Sequence, residues 1–262
     1  MRQALAAVLA MLFLMSAGWT FANEALVEDW LLGQGSDPTK DSPALVTLQN
    51  EERWLVVVVD FEAHPAENGW GPNEAEDLIQ QAVAPYIDQL SGQEDTLVHV
   101  VHPQVVRASM KLEDYGQDIG GKDTAGDGAF LPAGLAEEAV SAVKGDVNWS
   151  MYDLNEDGEI DRFLVLHTTK GQEESPSITN RIWSHYTQFN DPIALPDGLS
   201  IKHYTMASLQ TGSSGVGTII HEMLHQMGAV DLYPVHDDVN HQSWKGPGDW
   251  DIMASGNWNG GG

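Results

Sequence analysis

Apolar residues follow two different periods along this chain. The stretch "RWLVVVVDF" (53–61) is an unbroken, β-branched run that ends in an aspartate and a phenylalanine, the pattern of a strand buried on both faces. In "EAEDLIQQAVAPYIDQL" (74–90) the period changes. Leu78, Ile79, Ala82, Val83, Tyr86, Ile87 and Leu90 recur at helical spacing, and acids occupy the first turn, where they complement the helix dipole. "TLVHVVHPQVV" (96–106) returns to strand character, "LPAGLAEEAVSAVKG" (131–145) has helical composition with a proline near its start, and "IDRFLVLHT" (160–168) is a second buried strand. "RIWSHYTQF" (181–189) is short and mixed, and "LSIKHYTMASLQ" (199–210) alternates like a strand, one that could serve as a sheet edge for pairing with an extended peptide. Strands alternating with helices predict an α/β fold, a mixed twisted sheet packed with helices.

The intervening segments are polar and turn-rich. They are "EAHPAENGWGPNE" (62–74), the glycine- and aspartate-dense "EDYGQDIGGKDTAGDGAF" (113–130) and "GQEESPSITN" (171–180). Residues 1–22 carry one early arginine, an apolar run and then small residues, which predicts a secretory signal peptide; the rival reading, a membrane anchor, needs a longer run. Residues 23–50 read as a linker or short pro-segment, and 51–262 as the folded domain. Export implies a secreted or periplasmic protein with no stable membrane anchor.

Composition narrows the chemistry. The chain has no cysteine, so disulfides, thiolate metal ligands and a cysteine nucleophile are excluded. Its 39 acidic and 12 basic side chains give a net charge of −27, which repels nucleic acid and anionic membranes. Nothing in the composition speaks to oligomeric state.

The stretch "TIIHEMLHQMGAVDLY" (218–233) carries the strongest chemical signal. His221 and His225 lie four apart, so on a helix their imidazoles share one face and converge on one ion, with Glu222 beside them. Ile220, Leu224 and Met227 form an adjacent apolar stripe that anchors such a helix, and Gly228 suits a left-handed residue that ends it. The chain then turns back toward Asp231. Three protein ligands and an open fourth position are what a catalytic zinc requires, and Glu222 would take a proton from the zinc-bound water. Asp231 is either the third ligand or a group that supports the ligands from behind.

"HEMLHQMGAVDLYP" followed by "GDWDIMASGNWN" resembles the immune inhibitor A family of secreted bacterial metallopeptidases, relatives of the metzincins. Upstream, "WLVVVVDF", "YGQD", "NWSMYDLNEDGEIDRFLVLHTTKGQEES" and "IWSH" are similar to segments of the same family. The resemblance implies a metzincin-like fold and a zinc endopeptidase acting on protein or peptide substrates. It makes His221 and His225 ligands, Glu222 the general base, Gly228 the helix-ending glycine and Met253 the methionine of a turn beneath the metal. Asp231 stands where metzincins place a third histidine. Leu224 replaces a glycine common in the family, and the chain stops soon after Met253, where relatives continue into a further subdomain.

"DLNEDGEID" sets Asp153, Asn155, Asp157 and Asp161 at the spacing of a calcium loop, with the Glu159 carbonyl as a further ligand and Gly158 at the sharp turn. Position twelve is Leu164, so the alternative is an acidic turn into the following strand. His64, His99, His102, His167, His203, His236 and His241 show no paired spacing and read as packed or surface histidines, and His185 reads as structural. Ser213 and Ser214 read as a cap before the histidine helix. The rival to a peptidase is a non-catalytic extracellular binding or adhesion module on the same fold. Retention of Glu222 beside both histidines argues against it, because binding alone has no need of a base.

Overall fold

The computed structural model describes residues 45–118, 131–211, 215–233 and 246–257. The predicted signal peptide, most of the predicted linker, Ser213, Ser214, His236 and His241 lie outside the described residues.

Among the described residues six strands form one sheet. They are β1 (Glu52–Asp60), β2 (Leu97–Val101), β3 (Val106–Arg107), β4 (Phe163–Lys170), β5 (His185–Ala194) and β6 (Ser200–Gln210), in the order β2-β1-β4-β6-β5, with β3 also paired to β1. All pairings are parallel except β5 with β6. The buried strand runs predicted at 53–61 and 160–168 are therefore β1 and β4. Both lie inside a parallel sheet with helices on its two faces, so no residue between Trp54 and Asp60 or between Phe163 and Thr169 reaches solvent appreciably.

Alternation along β1 divides the core. Leu55, Val57 and Val59 point to the face covered by α4 (Leu131–Val143), together with Trp149, Tyr152 and Phe163. Trp54, Val56 and Val58 point to the opposite face, covered by Ile79, Val83 and Ile87 and by Ile219, Ile220, Met223 and Leu224. The first group of helical residues lies on one continuous run, α1 (Pro72–Leu78), a π turn (Ile79–Val83) and α2 (Ala84–Ser91). Pro85 has no N–H and its ring would crowd a regular preceding turn; the widened turn just before it accommodates that crowding. A short α3 (Leu112–Gly116) sits where Gly116 meets the Arg181–Ile182 backbone too closely for any side chain.

The second group belongs to α5 (Gly215–Gln226), the histidine helix, which packs on β6. Here one expectation is corrected. The alternating segment 199–210 is not a sheet edge: β6 lies between β4 and β5 and is buried along nearly its whole length. Its polar residues face protein. Thr205 Oγ1 donates to Gln226 Oε1 at 2.8 Å, His203 Nδ1 lies 2.8 Å from Gln226 Nε2, and Ser208 Oγ donates to the Thr169 carbonyl at 2.6 Å. The edge is β5, read from the sequence as merely short and mixed; it is half exposed and antiparallel to β6.

Residues 45–50 do not hang free. Leu48 packs against the core under the histidine helix, and Gln49 N–H donates to Glu52 Oε1 at 2.6 Å.

Candidate metal centre

Helix α5 ends in a turn that satisfies its last carbonyls almost completely. The Gly228 N–H donates to His225 O at 2.9 Å and the Ala229 N–H to Leu224 O at 2.9 Å, the paired bonds that close a helix on a left-handed residue. Gly228 has φ +90°, which a side chain would strain. The chain consequently reverses after one turn, and Asp231 comes back over the face that carries His221 and His225.

Both imidazoles are oriented by backbone. Nδ1 of His221 lies 2.7 Å from the Ile252 carbonyl, and Nδ1 of His225 lies 2.9 Å from the Ala229 carbonyl. A carbonyl only accepts, so each Nδ1 carries the proton and each neutral ring presents an Nε2 lone pair. Those two Nε2 atoms face each other at 3.1 Å. Asp231 Oδ1 lies 3.2 Å from Nε2 of His221 and 3.3 Å from Nε2 of His225. These are ion-pair separations, yet Oδ1 is buried with no hydrogen-bond donor among the described residues. Three electron-rich atoms thus converge, an arrangement that repels itself unless a cation or shared protons lie among them. The set fits zinc. Zinc–ligand bonds of about 2.0–2.1 Å in a tetrahedron put neighbouring ligands about 3.3–3.4 Å apart, close to all three separations.

Electrostatics couple the same groups. Burial alone would lower the pKa of His221 and His225, but Asp231 and Glu222 outweigh it and push both up. Burial would raise Asp231, but the two imidazoles hold it far below the usual carboxylate range. Glu222 is buried and its pKa is raised, chiefly by desolvation; its Oε1 lies 4.0 Å from Nε2 of His221, beside the cluster. Tyr233 is 37 % exposed, and burial together with the charges of Asp231 and Glu222 raises its phenol.

A tight turn braces the cluster from below. The Asp251 carbonyl accepts from Ala254 and Gly256, its Oδ1 accepts from the Met253 N–H at 2.9 Å, and the Met253 side chain is buried. The same turn supplies the Ile252 carbonyl that holds His221, and the Met253 carbonyl that accepts from Leu232 N–H at 2.8 Å, next to Asp231.

Sequence reasoning missed several supporting groups. Tyr186 on β5 stacks on His225 with ring centroids 6.4 Å apart. Glu173 is buried and its carboxylate accepts from Ser184 N and Oγ; desolvation raises its pKa. Arg162 and Glu52, both fully buried, form an ion pair beneath the end of α5. Charge at these positions looks like surface in a sequence, and no spacing rule marks it otherwise. Of the discounted histidines, His167 and His203 are buried, as is much of His185, and burial pushes their pKa values down to about 3, 4 and 4 respectively.

The acidic loop behaves differently from the histidine cluster. Asp153 Oδ1 and Oδ2 accept from the N–H groups of Asp157 and Gly158, Asp157 Oδ1 accepts from Glu159 N–H, and Asp161 Oδ2 accepts from Leu154 N–H at 2.6 Å. Asn155 Oδ1 accepts from Asp157 N–H and the Glu159 carboxylate pairs with Lys202. The loop's carboxylates accept from its own backbone and from Asn155 and Lys202, and the expectation of calcium there gains no support. Among the described residues one set of histidine and acidic side chains gathers its ligand atoms to a point: His221, His225 and Asp231.

Two imidazole nitrogens of the helix and a carboxylate oxygen from the turn after it converge beside a buried glutamate, a set that could hold a metal ion. A profile of the immune inhibitor A peptidase M6 catalytic domain matches residues 65–262, and the chain belongs to that family. The domain is a peptidase domain, which makes protein the substrate. Comparison with curated proteins gives no significant match.

Proposed function

We propose that this chain is an exported, zinc-dependent endopeptidase of metzincin-like build. His221, His225 and Asp231 hold the metal, and Glu222 is the general base. The observation that carries the proposal is the triangle of Nε2, Nε2 and Oδ1 atoms, 3.1 to 3.3 Å on a side, with both imidazole protons committed elsewhere. Zinc bound there would supply a Lewis acid and would lower the pKa of a bound water toward about 7.

The chain's own groups divide the remaining work. The Ile252 and Ala229 carbonyls keep each imidazole in the tautomer that offers Nε2. Glu222, set beside the cluster and screened from solvent, accepts a proton on its carboxylate from the attacking water and returns it to the departing amine. Strand β5 offers a half-exposed antiparallel edge, the surface on which an extended peptide adds main-chain hydrogen bonds. The proposal includes no calcium. Export rests on the composition of residues 1–22; among the described residues no helix is long and apolar enough to cross a membrane.

Glu222→Gln tests the mechanism. It is expected to keep one zinc per chain and to lower casein cleavage by about 10²–10⁴-fold, the usual contribution of a positioned base. Wild-type cleavage by the variant would remove Glu222 from its role.

A further inference from the structure

Helix α5 leaves one terminal carbonyl that its closing turn does not reach. Met227 N–H serves Met223 O, Ala229 N–H serves Leu224 O, and Gly228 N–H serves His225 O. The Gln226 carbonyl, directly after the second histidine, accepts instead from Arg162 Nη1 at 3.0 Å. Arg162 has 0 % exposure and stands immediately before β4, the strand that runs through the centre of the sheet. Its other nitrogens are committed as well. Nη1 also donates to Asp161 O at 3.1 Å, Nη2 donates to Val46 O at 2.7 Å and to Glu52 Oε1 at 3.1 Å, and Nε donates to Glu52 Oε2 at 2.5 Å. Glu52 also has 0 % exposure, and the Arg162 guanidinium lies 5.8 Å from the Trp54 ring.

A buried ion pair is a poor choice for stability alone, because its desolvation consumes most of what the pair returns. What it supplies here is direction. The planar fork fixes three bodies at once: the segment ahead of β1 through Val46, strand β1 through Glu52, and the end of α5 through Gln226. Its positive charge also lies at the negative end of the α5 dipole. The side chain of Gln226 is pinned from β6 by Thr205 and His203, and His203 lies against Tyr186, which stacks on His225. The last turn of the helix, with His225 on it, is therefore held through both the backbone and the side chain of the residue that follows.

We infer that Arg162, oriented by Glu52, is a positioning residue for the metal ligand His225. The inference rests on the proposed zinc site. It also draws residues 46–52, which precede the family match at 65–262, into the working unit.

The test uses the full chain with Arg162→Lys and Glu52→Gln. Lysine keeps the charge but loses the fork; glutamine keeps the shape but loses the charge that orients the guanidinium. Zinc affinity is measured by competition with a chromophoric chelator, ligand geometry by the visible spectrum of the Co²⁺-substituted protein, and turnover as separate kcat and KM. Both variants are expected to fold, to bind Zn²⁺ about 10–100-fold more weakly, the usual effect of losing support behind a ligand, and to lose kcat with little change in KM. An altered Co²⁺ spectrum should accompany the loss, which a general loosening of the fold would not produce in a chain that still melts cooperatively. Folded variants with wild-type affinity and spectrum overturn the inference. So does failure of both to fold, since the pair is then a folding element and not a positioning one. A wild-type chain that binds no Zn²⁺ would instead overturn the metal site itself.

Discussion

His167, His185 and His203, whose pKa values burial lowers, make stability depend on pH in a way that one substitution can isolate. His167 is fully enclosed. Its Nδ1 lies 2.9 Å from Thr169 Oγ1, its Nε2 has no partner among the described residues, and burial pushes its pKa down to about 3. In the unfolded chain an imidazole titrates near 6.5. Between these values the unfolded state binds the proton and the folded state does not. The contribution of His167 is therefore intact above about pH 6.5 and is lost as pH falls toward the folded value. At pH 5 that loss is about 2 kcal/mol, from one and a half pH units at about 1.4 kcal/mol each. His185 and His203, both pushed down to about 4, add losses of similar size and sign. Together they reach about 6 kcal/mol, a large share of the 5–15 kcal/mol that holds a typical domain folded. Asp161, raised to about 6 mainly by burial, runs the other way, as do the raised His221 and His225. A comparison of two chains cancels those terms. His167→Phe keeps a ring in the cavity and removes the titration, so urea unfolding at pH 7 and pH 5, with chelator present throughout, should show the variant losing about 2 kcal/mol less than wild type. Equal losses in the two chains would mean that His167 does not titrate with this shift and would refute the reasoning.

The remaining predictions concern the metal and its helix. Asp231→Ala removes the third atom of the cluster and is expected to weaken zinc binding, read by chelator competition, by at least about 10-fold; unchanged affinity would reassign Asp231 to a supporting role. Gly228→Ala places a side chain at φ +90°, where the nearest atom is Thr47 Cγ2 at an ordinary 3.8 Å, so the cost is conformational, about 1–2 kcal/mol in chemical denaturation. A change within 0.5 kcal/mol, roughly the scatter of neutral surface substitutions, would show that the helix end has an alternative closure.

The elements legible in the sequence were those whose burial is uniform. β1 and β4 are covered on both faces, so Trp54 to Val59 and Phe163 to Leu166 are all apolar and the runs stand out; α5 shows both its apolar stripe and its histidine face at helical spacing. β6 misled because its alternation is polar without being solvated: His203, Thr205 and Ser208 face partners on α5 and β4. β5 was obscure for the opposite reason. Only Phe189 of its ten residues is buried, so it lacks the apolar signature of a strand while still pairing along β6. The acidic loop carries calcium-like spacing, but the same oxygens suit backbone N–H groups, and the choice between the two depends on backbone turns that spacing does not specify. Arg162 and Glu52 meet across 110 positions, a separation over which local pattern carries no information.

The Nδ1 atoms of His221 and His225 are held by main-chain oxygens of Ile252 and Ala229. Every amino acid brings the same carbonyl, so what sets these two bonds is the path of the two loops, while the side chains of Ala229 and Ile252 pack against the core. The glycine at the helix end and the aspartate turn shape that path, so two residues that do not touch the imidazole nitrogens govern where their protons point.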